Sequence, residues 1–144
     1  MPKEQPDHHD AEILLRVYEL RREAVLRASR DGLSRDFWPK SYADVQAAMK
    51  SDHPLNAAYR QVATYWEMVY GLVKWSVVHP GLFLETNGEG LLLFAKVAPY
   101  LAEIRRDGNP ASFRNAEWVA KETAEGRRLF ELFEARVKKI LETK

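Results

Sequence analysis

The strongest constraint on this chain lies at residues 59–78, YRQVATYWEMVYGLVKWSVV. Wound as a helix, this stretch is apolar on almost every side. Such a helix is normally the buried centre of a bundle. Yet Arg60, Glu67 and Lys74 recur within it at seven-residue spacing. Seven residues is close to two turns, so the three charges form one stripe. A charge in that setting must be paired, or must face solvent or a cleft.

The rest of the sequence has to supply what surrounds this helix. At 144 residues the chain fits one domain with a sizeable core. Its 46% apolar and 30% charged residues are the balance of a folded protein. There is no cysteine. That excludes a disulfide scaffold, a thiolate metal site and a cysteine nucleophile, and it fits a cytoplasmic location. A net charge of +1, with both signs interleaved, gives no field to attract nucleic acid or an anionic membrane. The apolar run at 68–78 is interrupted by Lys74 and is shorter than the about 20 residues of a membrane span, so none is expected.

Helical periodicity runs through the whole chain. Residues 1–9, with Pro2 and Pro6, read as a flexible tail, and 10–144 as a single helical domain. Asp10 as N-cap opens a first helix over 11–30, which Asp31-Gly32 should stop. Phe37, Trp38 and Pro39 sit in a connector. Ser41 with Asp44 resembles a capping box and starts a short helix over 42–50. The central helix is expected over 54–78. Thr86 and Glu89, also spaced as a capping box, start the next at Asn87, and Pro99 should kink it before it closes at Asp107-Gly108. A last helix is expected over 110–141, with Gly126 as a weak point. No strand pattern is seen. The expected fold is all-α: an antiparallel bundle of four main helices with a short extra helix.

The candidate site begins with the polar stripe Arg60, Thr64, Glu67, Gly71 and Lys74. Gly71 costs about 1 kcal/mol in mid-helix, which points to close approach of another helix or a ligand. Glu67 is then an acid, base or anchor in a cleft, or else a structural ion pair with Arg60, Arg105 or Arg106, because arginine pairs buried carboxylates with two bonds. Trp66 and Tyr70 share a face with Tyr59, whereas Tyr65 and Trp75 turn away from it. One face is core; the other needs a second helix, a small apolar ligand or a partner chain, since Tyr and Trp anchor interfaces.

No complete catalytic constellation is present. His8, His9, Asp10 and Glu12 are metal-ligand types but sit in the expected tail without HExxH spacing, so no metal site and no cofactor are expected. No Glu is followed by His at the spacing of a di-iron bundle site. The serines lack nucleophile-elbow glycines, and Asn87-Gly88-Glu89-Gly90 lacks the lysine of a phosphate loop. The doublets Arg21-Arg22, Arg105-Arg106, Arg127-Arg128 and Lys138-Lys139 are flanked by acids and read as solvated faces rather than a nucleic-acid stripe.

Residues 12–123 resemble an uncharacterised family of small bacterial helical proteins. The likeness rests on a first helix rich in Leu and Arg, the aromatic-Glu pair Trp66-Glu67, the apolar segment at 91–94, and a helix ending in Ile104-Arg105. It implies an all-helical fold and carries no chemistry. The leading expectation is a non-enzymatic protein-interaction or small-ligand-binding module that forms a homodimer through its central or last helix. The alternative is a hydrolase or metal-dependent enzyme using Glu67.

Overall fold

A computed structural model describes residues 3–144, and every regular element in that range is helical. Residues 1 and 2 of the expected tail lie outside the described residues. The α-helices are α1 (His8–Arg21), α2 (Ala24–Asp36), α3 (Tyr42–Ala48), α4 (Asn56–Lys74), α5 (Pro80–Leu84), α6 (Glu89–Val97), α7 (Leu101–Asp107), α8 (Arg114–Glu122) and α9 (Ala124–Glu142). A 3-10 turn at Ala98–Tyr100 joins α6 to α7.

The helices are more numerous and shorter than periodicity alone predicts, and side-chain caps explain most of the breaks. Helix α1 begins earlier than expected. Asp7, not Asp10, is its N-cap, and Asp10 closes the reciprocal capping box. The first predicted helix divides at Glu23, whose carboxylate accepts from the amides of Val25 and Leu26 and so restarts the chain as α2. Asp31-Gly32 does not stop it. No breaker follows, and α2 continues to Asp36, just short of Trp38-Pro39.

Helix α4 ends at Lys74, four residues before its expected limit. Ser76 adopts a left-handed φ of 60°. The Val77 amide donates to Leu72 O at 2.9 Å and the Ser76 amide to Val73 O at 3.1 Å, the pair of bonds that defines a Schellman ending. His79 then caps α5, its Nδ1 accepting from the Leu82 amide at 3.0 Å. The expected Thr86–Glu89 box does not form, because Glu89 turns to Arg30 instead. Pro99 does more than kink its helix: it converts one turn to 3-10 form. The last predicted helix divides at Thr123, which caps α9 through the Gly126 amide at 2.9 Å.

Helix α4 holds the centre, packed against α2 on one side and α8 on another. Helix α9 closes the structure over α6 and α8. Val45, Val69, Tyr70, Val73, Phe83, Leu91, Val97, Ile104 and Val119 are fully buried in one apolar cluster. Each such side chain contributes roughly 1.5–3 kcal/mol relative to exposure.

Candidate functional site

Helix α4 presents three different surfaces, and the expected site residues divide among them. On the first, Glu67 faces α8. Its Oε2 accepts from the Asn115 amide at 2.9 Å and its Oε1 from the Ala116 amide at 2.8 Å. The Asn115 side chain returns a bond from Nδ2 to Glu67 O at 2.9 Å. Helix α8 has no side-chain cap of its own; its N-cap residue Phe113 is left-handed, with φ 59°. Glu67 therefore caps α8 from another helix, placing a negative charge where free amides and the helix dipole favour one.

This corrects the expected ion pair of Glu67 with an arginine. Arg60 Nε donates to Asn56 Oδ1 at 3.0 Å, one turn back on the same helix. Arg105 holds Ser112 O and Glu117, each at 3.0 Å. Gly71 does mark a close approach: a Cβ there would lie 3.1 Å from Asn115 Nδ2. Tyr59, Arg60, Thr64, Glu67, Ser112 and Phe113 border a cleft of about 460 Å³ between α4 and the start of α8. Burial pushes the Tyr59 hydroxyl up to about 12, so it stays neutral at ordinary pH. Lys74 ends α4 three residues beyond Gly71 and does not border this cleft.

Trp66 and Tyr70 occupy the second surface, under α6. The fully buried Tyr70 hydroxyl donates to Asn87 O at 2.8 Å and accepts from the Leu91 amide at 3.1 Å. Burial pushes its pKa well up. Gly90 permits this packing, since a Cβ there would meet Tyr70 Oη at 2.7 Å and the Trp66 ring at 2.8 Å. The indole Nε1 of Trp66 is buried with no acceptor among the described residues.

Trp66 also borders a small cleft between α2, α4 and α6, of about 40 Å³, with Arg30, Leu33, Val62, Glu89 and Lys96. Arg30 grips Glu89 with Nε at 2.7 Å and Nη2 at 3.3 Å. Lys96 is only 4% exposed. Its Nζ donates to Leu33 O at 3.2 Å and lies 3.8 Å from the centre of the Trp38 ring. Burial pushes the ammonium down to about 8. The sequence reading missed this group. Its signal was a lone lysine in the apolar run LLLFAKVA, the same kind of signal that marked Lys74.

The third surface faces outward beside α1. Ile13, Arg16, Leu20, Met68 and Leu72 border an almost wholly apolar groove of about 350 Å³. Met68 is 59% exposed, and Trp75, seven residues on along the same face, is 76% exposed.

The His8, His9 and Asp10 group is used differently from a metal site. Asp10 is fully buried and accepts from the Asp7 amide at 2.7 Å, from the His79 amide at 2.8 Å and from Lys3 Nζ at 3.1 Å. Burial alone would raise its pKa, but these donors outweigh it and hold the carboxyl below its usual range. His8 and His9 pack on each other, ring centres 4.0 Å apart. Among the described residues no cluster of His, Asp or Glu could hold a metal ion. Nor is any helix among them long and apolar enough to cross a membrane.

No curated protein and no solved structure matches this chain. A family pattern does, over residues 6–123, which takes in α1 through α8 and stops where α9 begins. The chain belongs to the family described as a domain of unknown function, DUF4760.

Proposed function

We propose that this protein is a non-enzymatic interaction module that pairs with a second copy of itself through the α1–α4 face. The observation that carries this reading is the apolar stripe of exposed Met68, half-buried Leu72 and exposed Trp75 along α4 and its end, the first two of which border a groove with Ile13 and Leu20 of α1. Tryptophan is among the residues enriched at the energetic centres of protein interfaces, and Trp75, left 76% exposed, gains from being covered. The charge pattern supports a copy as the occupant. Glu12 and Arg16, of opposite sign, border the same groove. A two-fold pairing sets Arg16 of one protomer, held within its own chain only by a loose 3.8 Å pair with Glu19, near Glu12 of the other. Such rim pairs add little affinity but fix orientation.

The main members of this reading are α1–α2, α4, α6–α7 and α9, arranged as an antiparallel bundle with α8 packed between α4 and α9 and the pairing face on the first two. Its setting is the cytoplasm, in keeping with a chain without cysteine. Glu67 is a cap in this account rather than a catalytic group.

Sedimentation velocity at about 50 μM, well above the Kd of a micromolar dimer, tests the proposal. The expected result is a dimer for the wild type and a monomer for Met68→Glu, with unchanged far-UV circular dichroism. A wild type that sediments as a monomer, or a variant that still dimerises, overturns it.

A further inference from the structure

The small cleft between α2, α4 and α6 has the chemistry of a binding site, independently of the pairing face on the other side of α4. Trp66 and Lys96 both border it, and each carries an N–H donor that lacks an acceptor. The Trp66 Nε1–H is buried with none among the described residues. The Lys96 ammonium has three N–H donors and hydrogen-bonds only Leu33 O. No carboxylate among the described residues makes an ion pair with Lys96, although the residue is 4% exposed. Glu89, the acid bordering the cleft, is held by Arg30 through both of its oxygens.

Charge and size narrow the occupant. Arg30 and Glu89 cancel, so Lys96 leaves the cleft with one net positive charge. The Trp38 ring face, 3.8 Å from Nζ, offsets part of that charge, and an acceptor-rich anion completes the compensation and satisfies the indole as well. A single water could bond the indole but would leave the charge unpaired. The cleft is about 40 Å³, against about 10–15 Å³ per water position, so it takes only a few heavy atoms. That excludes nucleotides, sugars and long lipids. Leu33, Val62, Leu92 and Leu93 give the walls an apolar part suited to a short alkyl group rather than to a fully hydrated dianion.

We propose that the Trp66–Lys96 cleft binds a small monocarboxylate, its oxygens held by the Lys96 ammonium and the Trp66 indole N–H and its alkyl end against Leu33 and Leu93.

The four tryptophans give four indole N–H resonances, and Trp66→Phe identifies the one that matters. Sodium propionate is titrated into the ¹⁵N-labelled wild type, with sodium chloride as the control at matched ionic strength. The Trp66 indole resonance should move saturably, with a Kd in the roughly millimolar range that so few ligand atoms permit, while that of exposed Trp75 stays in place. Lys96→Met should weaken the binding at least about tenfold, the loss of one charge-assisted bond. A Trp66 resonance that propionate does not move, or that chloride moves equally, overturns the proposal. So does Lys96→Met binding as tightly as wild type. Should that variant fail to fold, the wild-type titration alone decides.

Discussion

Glu67 joins α4 to α8 by capping the first turn of α8 with both carboxylate oxygens. Its place in a polar stripe on an apolar helix marked it as a group that needed satisfying. The partner is not an arginine but the backbone amides of Asn115 and Ala116. Any residue supplies an amide, so nothing in the sequence distinguishes those two positions. Glu67→Ala should cost about 1–2 kcal/mol, the worth of an N-cap made at a helix dipole. For a chain of this size that is a fall in Tm of about 3–8 °C by calorimetry. Hydrogen exchange should show the amides of 115 and 116 losing protection ahead of the rest of α8. Lys96 makes the opposite case. Burial holds its folded pKa at about 8, below the ordinary lysine value of 10.5, so the unfolded chain holds the extra proton between those values. Stability should therefore rise with pH across that window and be lowest below it. Lys96→Met should stabilise the protein by about 1–3 kcal/mol at pH 7 and remove that rise, as read by urea unfolding at several pH values. A lysine kept at such a cost is what a binding site would require.

At the scale of elements, periodicity placed the helical material correctly but could not see where it breaks. The divisions at Glu23 and Thr123 are made by single side chains folding back onto amides two or three residues ahead. Neither position is followed by a proline or glycine run, so the apolar pattern passes through both unbroken. Glycines misled in one place and informed in another. Asp31-Gly32 has the pattern of a stop, yet Gly32 lies inside α2 with open space where a Cβ would be. Gly32→Ala should therefore stabilise the protein by about 0.5–1 kcal/mol, through helix propensity and a less flexible unfolded chain. Gly126 was read as a weak point and is a corner. A Cβ there would stand 2.0 Å from the Val119 carbonyl oxygen, so α8 and α9 could not meet as they do. The same substitution at this site, Gly126→Ala, should cost about 2–3 kcal/mol, an overpacking penalty at the joint. Thermal unfolding of the two variants side by side should move Tm in opposite directions.

At the scale of the molecule, the all-helical class and the central place of α4 were legible, because both follow from long-range apolar periodicity. The assignment of aromatics to surfaces was legible in part. Trp66 and Tyr70 are core, as their shared face implied, and Trp75 is turned out to solvent. Tyr65, read as turned away from them, is buried too, its hydroxyl donating to Val17 O at 2.9 Å because α1 packs over it. What the sequence could not convey is which exposed apolar surface stays uncovered, since that depends on how α1 and α4 lie together. The absence of native cysteine makes this directly testable. Met68→Cys places one thiol at the proposed seam, and Leu132→Cys places one at an apolar residue of α9 that is 51% exposed but far from it in the account. Under mild oxidation at equal protein concentration, Met68→Cys should form a disulfide-linked dimer readily while Leu132→Cys remains largely monomeric on a non-reducing gel. Equal cross-linking of the two, or preferential cross-linking through Leu132→Cys, would contradict the pairing of copies through the α1–α4 face.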